Sequence, residues 1–299
     1  MEWLRNKKVG VVFSSGFFGF FAHTGCLQAM EEMGIKPAGY GGSSSGAIVA
    51  AYAAAGMNAR DIGTLLLGLK KRDFWDPEPW YKTVAAALRL FKGWSGYLEG
   101  AKFNRLLAGT LPVKHFEDLR VPCVIAGCNL TRQTQEAFTT GSIADAVQAS
   151  GAIPWIFKFK KIEKDLFLDG GLVDKVPLEA LAERTDPDVI IVHYIASHNL
   201  ADAPDAFLSK TFSPHQAYSL AVSIARREHY RTQVKLMRQR GITVIELKPG
   251  LPRVTPDRLQ TGKSAFDAAY KHTITALRGD GGHAVGPAAM HREGMVNQE

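Results

Sequence analysis

Apolar and polar positions along the chain alternate between strand-like and helix-like periods. Val9-Gly-Val-Val-Phe13 is a short β-branched run halted by Ser14-Ser15-Gly16, the pattern of a buried strand. His23–Met33 then predicts a helix stopped by Gly34, a second strand approaches Tyr40, and the Ala-rich stretch Gly46–Ala55 predicts a helix buried on nearly every face, ended by Gly56. Further strands are predicted at Cys123–Leu130, Glu136–Thr139, Ile162–Leu168, Val189–Ile195 and Thr243–Leu247. Helices are predicted at Ile143–Ala149, Leu178–Glu183, Ala217–Arg240 and Phe266–Leu277. Such alternation implies an α/β fold with a mainly parallel sheet. One domain over residues 1–278 is expected, with a flexible tail at 279–299 where periodicity ends.

Residues 72–100 interrupt this order with Trp75, Trp80, Tyr81, Trp94 and Tyr97 around Pro77 and Pro79. Between them Val84, Leu88 and Phe91 share one helical face, edged by Lys82, Arg89 and Lys92, the mixture of a helix resting at a membrane interface. An ordinary surface helix packed on the core gives the same pattern.

The chain has 299 residues, 46% hydrophobic and 22% charged, which excludes a disordered or fibrous protein. Its formal charge of +7 favours anionic surfaces without choosing among them. Cys26, Cys123 and Cys128 are too few for a disulfide or zinc framework and suit a reducing, cytoplasmic compartment. No apolar run is long enough to span a bilayer, and Ser14-Ser15-Gly16 cuts short the basic-then-apolar start that a signal peptide would need.

Gly42-Ser43-Ser44-Ser45-Gly46 matches G-x-S-x-G between a predicted strand and a predicted helix. A nucleophile on so sharp a turn needs nearly side-chain-free neighbours two residues away, which Gly42 and Gly46 supply around Ser44 alone of the three serines. Asp169, in Leu166-Phe-Leu-Asp-Gly-Gly171, is a candidate base delivered by a strand end, although Asp-Gly-Gly is also a common turn. Ser15, Gly16 and Phe17, after the first strand, are candidate oxyanion donors through their amides. Phe17, Phe18, Phe20 and Phe21 could line an acyl pocket or simply pack in the core.

Together these segments resemble the patatin-like phospholipase family, whose pattern is a Gly-Gly-Gly-x-Lys/Arg-Gly loop, a G-x-S-x-G elbow and an Asp-Gly-Gly/Ala motif. Ala22-His23-Thr24-Gly25 and Ala149-Ser-Gly-Ala-Ile-Pro154 are similar to two further family blocks, so the likeness runs over about residues 8–180. It implies a three-layer α/β/α fold and a Ser44–Asp169 dyad that hydrolyses lipid acyl esters through an acyl-enzyme, and this acyl-transfer chemistry carries the expectation of no metal or organic cofactor. The expected partner is a phospholipid or other acyl ester, with transient peripheral membrane contact and no nucleic acid. The loop departs from the family: two glycines are replaced by Ser14 and Ser15, and the basic position by Phe18.

Those departures support a second reading, a patatin-like lipid-binding protein without hydrolysis. A Ser-Asp-His triad through His193 or His198 is a third, disfavoured because Ser44 follows too few strands for an α/β-hydrolase. His23 reads as structural. Neither a dinucleotide fingerprint nor a P-loop occurs at residues 14–19, which argues against nucleotide binding. Arg226, Arg227, Arg231, Lys235, Arg238 and Arg240 read as the solvated face of a helix.

Overall fold

The computed structural model describes residues 2–4, 6–197, 213–279 and 284–285. Its strands are β1 (Val9–Phe13), β2 (Gly39–Ser43), β3 (Gly96–Leu98), β4 (Cys123–Asn129), β5 (Thr134–Phe138), β6 (Trp155–Phe157), β7 (Lys160–Ile162), β8 (Asp165–Asp169), β9 (Val189–His193), β10 (Thr243–Leu247) and β11 (Ala284–Val285). Its helices are α1 (Phe20–Glu32), α2 (Ser45–Ala54), α3 (Ala59–Leu67), α4 (Lys71–Phe74), α5 (Trp80–Leu88), α6 (Ala101–Thr110), α7 (Ile143–Ser150), α8 (Leu178–Thr185), α9 (Pro214–Gln239) and α10 (Gly262–Arg278).

Among the described residues the main sheet runs β11-β10-β9-β1-β2-β4-β8-β7, with β5 on the remaining edge of β4. Strands β10, β9, β1, β2 and β4 are parallel, whereas β5, β7, β8 and β11 pair antiparallel with their neighbours. A parallel core needs both faces covered, which is why its strands read as continuous apolar runs. Val11, Phe13, Ile191 and Ile245 enter a core with α1, α2 and α10, while Val12, Ile190, Val192 and Val244 enter another with α8 and α9. The result is a three-layer α/β/α arrangement. Helix α1 lies so close to α10 that a Cβ on Gly25 would fall 2.1 Å from the Phe266 carbonyl oxygen.

Two expectations change. The single strand at Ile162–Leu168 is a hairpin, β7 and β8, turned by Glu163 at φ 52°. Helix α1 starts at Phe20, three residues before His23, because its first turn buries Phe20 and Phe21. Most of the tail expected at 279–299 lies outside the described residues, but Ala284 and Val285 pair with Ile245 and Val244.

Candidate active site

Strand β4 acts as a ruler for the site. On one edge, Ile125–Asn129 pair with β5; on the other, Tyr40–Ser43 of β2 pair with Cys123–Ala126, and β8 takes over from Gly127. Because β2 is parallel to β4 and β8 antiparallel, both run toward the same point. Ser43 registers with Ala126 and Asp169 with Gly127, so the two strand ends meet.

Ser44 follows β2 with φ 53° and ψ −118°, a strained conformation for a side-chain-bearing residue. The turn is tight enough that a Cβ on Gly42 would lie 2.5 Å from the Gly46 carbonyl oxygen, and one on Gly46 would lie 2.1 Å from that of Phe13. The Ser44 amide donates to Ser150 Oγ at 2.8 Å, and its hydroxyl donates to Asp169 Oδ2 at 2.6 Å. The other carboxylate oxygen, Oδ1, accepts from the Gly171 amide at 2.7 Å. Glycine is required at 170, where a Cβ would stand 2.0 Å from the Ala126 carbonyl oxygen. Burial raises the Asp169 pKa above the ordinary carboxylate value, outweighing the opposing pull of the Ser44 hydroxyl, Arg226 and the Gly171 amide.

Arg226 of α9 belongs to this constellation. It is half-buried and donates through Nη2 to Ser15 Oγ at 2.6 Å, while its charge acts on Asp169. The sequence pattern presents it as a solvated helix residue. A cation from a distant helix thus stands at the loop whose own basic position holds Phe18. Lys175 adds to the local positive field, but burial, and then Arg226, push its pKa down to about 7.

The loop departs from expectation at Ser15, whose amide donates to the Lys175 carbonyl at 2.9 Å and is already occupied. Among the described residues the Gly16, Phe17 and Ser45 amides have no acceptor. Ser45 opens α2, where a first-turn N–H has no intrahelical partner, a donor that the pattern of side chains does not single out. The signal was present, since the residue after an elbow nucleophile commonly donates to the oxyanion. Loop and elbow interlock tightly: a Cβ on Gly19 would lie 2.4 Å from Ile195 and 2.9 Å from Ser45 Oγ.

His193 does not join the pair. The Ser14 carbonyl accepts from His23 Nε2 at 2.9 Å, which leaves His23 Nδ1 to accept from His193 Nδ1 at 2.7 Å. Burial lowers His23 to about 3 and holds His193 well below its usual range, so both are neutral. His198 lies outside the described residues.

Ser44, Ser45, Gly16, Phe17, Phe18 and Phe20 border an apolar cleft enclosing about 770 Å³ up to its open mouth. Ile48 and Tyr52 of α2, Leu66, Phe74, Leu106 and Leu107 continue its wall. Phe21 is the exception among the four phenylalanines. It packs against Gly262 of α10, within the core.

The 72–100 segment folds back over this region, as β3 pairs in parallel with β6. Helix α5 ends at Leu88, and Leu90 and Phe91 take left-handed φ values of 52° and 58°. Phe91 therefore leaves the helical face predicted for it and meets Trp155, with ring centroids 5.9 Å apart. Trp94 turns inward, donating Nε1–H to Glu78 at 2.5 Å. Trp80, Tyr81, Val84, Leu88, Leu90 and Trp155 stay exposed, Leu88 and Leu90 at more than 80%.

Among the described residues no group of acidic, histidine and cysteine side chains could hold a metal ion, and no helix is long and apolar enough to cross a membrane.

The profile of the patatin-like phospholipase family matches residues 11–182. Lysophospholipase NTE1 of Cryptococcus neoformans is 27% identical over 193 residues, covering 63% of this chain and 11% of that protein. An uncharacterized NTE family protein of Mycobacterium tuberculosis is 27% identical over 269 residues, covering 89% of this chain and 39% of that one. The chain thus spans well under half the length of either relative. Among solved structures, VipD from Legionella pneumophila aligns with 89% of this chain and 66% of its own at 16% identity and a TM-score of 0.46. The type III effector ExoU aligns with 89% of this chain and 53% of its own at 16% identity and a TM-score of 0.41. On the span of the family match, this chain belongs to the patatin-like phospholipase family.

Proposed function

We propose that the protein is a serine hydrolase of long-chain acyl esters, of phospholipase A or lysophospholipase type, with Ser44 as nucleophile and Asp169 as base. The 2.6 Å hydrogen bond between them, at the edge of a cleft lined by apolar side chains, is the observation that most directly supports this. As Ser44 Oγ attacks the ester carbonyl carbon, its proton passes to Asp169 Oδ2. The Gly16, Phe17 and Ser45 amides take the charge developing on the carbonyl oxygen, a contribution of about 10²–10³ in rate for each well-placed donor. Collapse expels the alcohol portion, which takes the proton from Asp169. Water then adds to the acyl-enzyme, giving its proton to Asp169, and release of the fatty acid returns that proton to Ser44.

Arg226 supports the loop that carries Gly16 and Phe17 and favours the ionised form of Asp169. The exposed apolar side chains of α5 and the Leu90–Phe91 turn, edged by Lys82, Arg89 and Lys92, fit transient contact with an anionic membrane surface. The free Cys26, Cys123 and Cys128 fit action in the reducing cytoplasm.

The occupied Ser15 amide favours a second reading, lipid binding without turnover. Labelling with a fluorophosphonate separates the two. Strong labelling of the wild type, lost in Ser44→Ala, supports the hydrolase. Folded wild type that does not label supports the binder.

A further inference from the structure

A second cavity lies on the other face of the sheet, between α9 and the end of β10, and encloses about 870 Å³ up to its open mouth. Its chemistry is the opposite of the first. Arg227, Arg231, Lys235 and Arg238 recur at three- to four-residue spacing along one face of α9, and Lys248 reaches the cavity from just beyond β10.

Two carboxylates answer these five cations. Glu246 pairs with Lys248 at 3.0 Å and accepts a hydrogen bond from Tyr230. Glu228, on the exposed side, pairs with Arg231 at 2.8 Å and Arg227 at 3.4 Å. Lys235 and Arg238 have no ion-pair partner among the described residues, and the Arg238 Nε is buried without an acceptor. A charge excess held around a concave space is relieved by an anion that sits in it.

The spacing selects the class of anion. At 1.5 Å rise per residue, the row of cations from Arg227 to Arg238 extends about 16 Å along the helix, a length that two or more phosphoryl groups match better than one. Tyr194 and Tyr230, stacked with centroids 4.9 Å apart, line the same cavity with an apolar surface that narrows the polar space to the arginine side. We propose that this cavity binds a polyanion carrying two or more phosphoryl groups. They belong either to a soluble compound or to headgroups clustered on a membrane. The guanidinium forks engage the phosphoryl oxygens in pairs, and the lysines neutralise the remaining charge.

The inference is independent of hydrolysis at Ser44, and so is its test. The full chain is titrated calorimetrically with inorganic tripolyphosphate at low ionic strength. Saturable binding is expected in the wild type, with affinity at least tenfold weaker in the Arg231→Glu, Lys235→Glu double variant. Both residues are exposed, so the thermal melting point of the variant, measured alongside, should stay at the wild-type value. Absence of saturable binding in the wild type, or equal affinity in a folded double variant, overturns the proposal. Vesicles of phosphatidylcholine with phosphatidic acid then distinguish the two sources. Release of bound protein by tripolyphosphate assigns the site to headgroups, and failure to release assigns it to a soluble ligand.

Discussion

Arg226 and Ser15, 211 positions apart in sequence, are joined by a 2.6 Å hydrogen bond from the guanidinium to the serine hydroxyl. Ser15 stands where the family pattern has glycine, and Phe18 where it has a basic residue. On the proposed function the two departures compensate each other, because the serine added to the loop is the acceptor for a cation brought from α9.

From this compensation, Arg226→Ala should lower kcat about tenfold to a hundredfold with little change in KM, and should move the acid limb of the kcat profile to higher pH. Arg226→Lys keeps the charge but loses the planar fork, so it should restore the pH profile more fully than the rate. A merely structural arginine would leave the acid limb in place. Steady-state kinetics on a p-nitrophenyl ester across pH makes the distinction.

Asp169 ties activity and stability to pH in opposite directions. Its catalytic form is ionised and its folded pKa is raised by burial, so activity should rise with pH through a value above the ordinary 3.8. The folded state also holds this proton more tightly than the unfolded chain. The stabilisation is therefore complete below the unfolded value and lost as pH rises through the folded one. Asp169→Asn should abolish turnover yet melt higher than wild type at neutral pH, with the gain vanishing in acid. Calorimetric melting at several pH values would show it, and a variant that melts lower at neutral pH would count against burial as the dominant influence.

The exposed apolar edge offers a separate test. Replacing Leu88 and Leu90 by Asp should cut co-sedimentation with anionic vesicles at least tenfold, at about 1.5 kcal/mol or more for each side chain withdrawn from lipid. Hydrolysis of a short, soluble ester should be unaffected. Equal sedimentation of variant and wild type would remove membrane contact from the function.

Gly46→Ala should be among the most damaging small substitutions, because its new methyl would meet the Phe13 carbonyl oxygen at 2.1 Å. Overpacking of this kind costs about 1–3 kcal/mol or more. Thermal melting would register the loss, whereas Gly109→Ala, with no heavy atom within 4 Å of its new Cβ, should melt near wild type.

Much of this molecule is legible in its residues. Val and Ile runs mark β1, β9 and β10 because strands covered on both faces leave no polar alternation to confuse. The elbow is legible because no residue but glycine fits at 42 and 46. What escaped depended on distance or on register. Arg226 shares a helix with surface arginines and lysines, and periodicity alone does not reveal that α9 aims this one at Ser15. The β7–β8 turn was hidden because Glu163-Lys164 carries none of the Gly, Asn or Pro that usually announce one. His193 reads as available in sequence because its partner His23 is 170 positions away, and Ser45 offers an amide, which side-chain chemistry does not advertise.

Strand β4 gives this architecture a lasting freedom. Because Ser43 registers with Ala126 and Asp169 with Gly127, the spacing of the two strand ends is set on β4 and not by the length of chain looped out between α2 and β4. That interval includes α3 to α6, much of the wall around the acyl cleft. Insertions, deletions or wholesale exchange there can retune which substrates are admitted while the reacting atoms stay where they are, so diversification of specificity is uncoupled from preservation of chemistry.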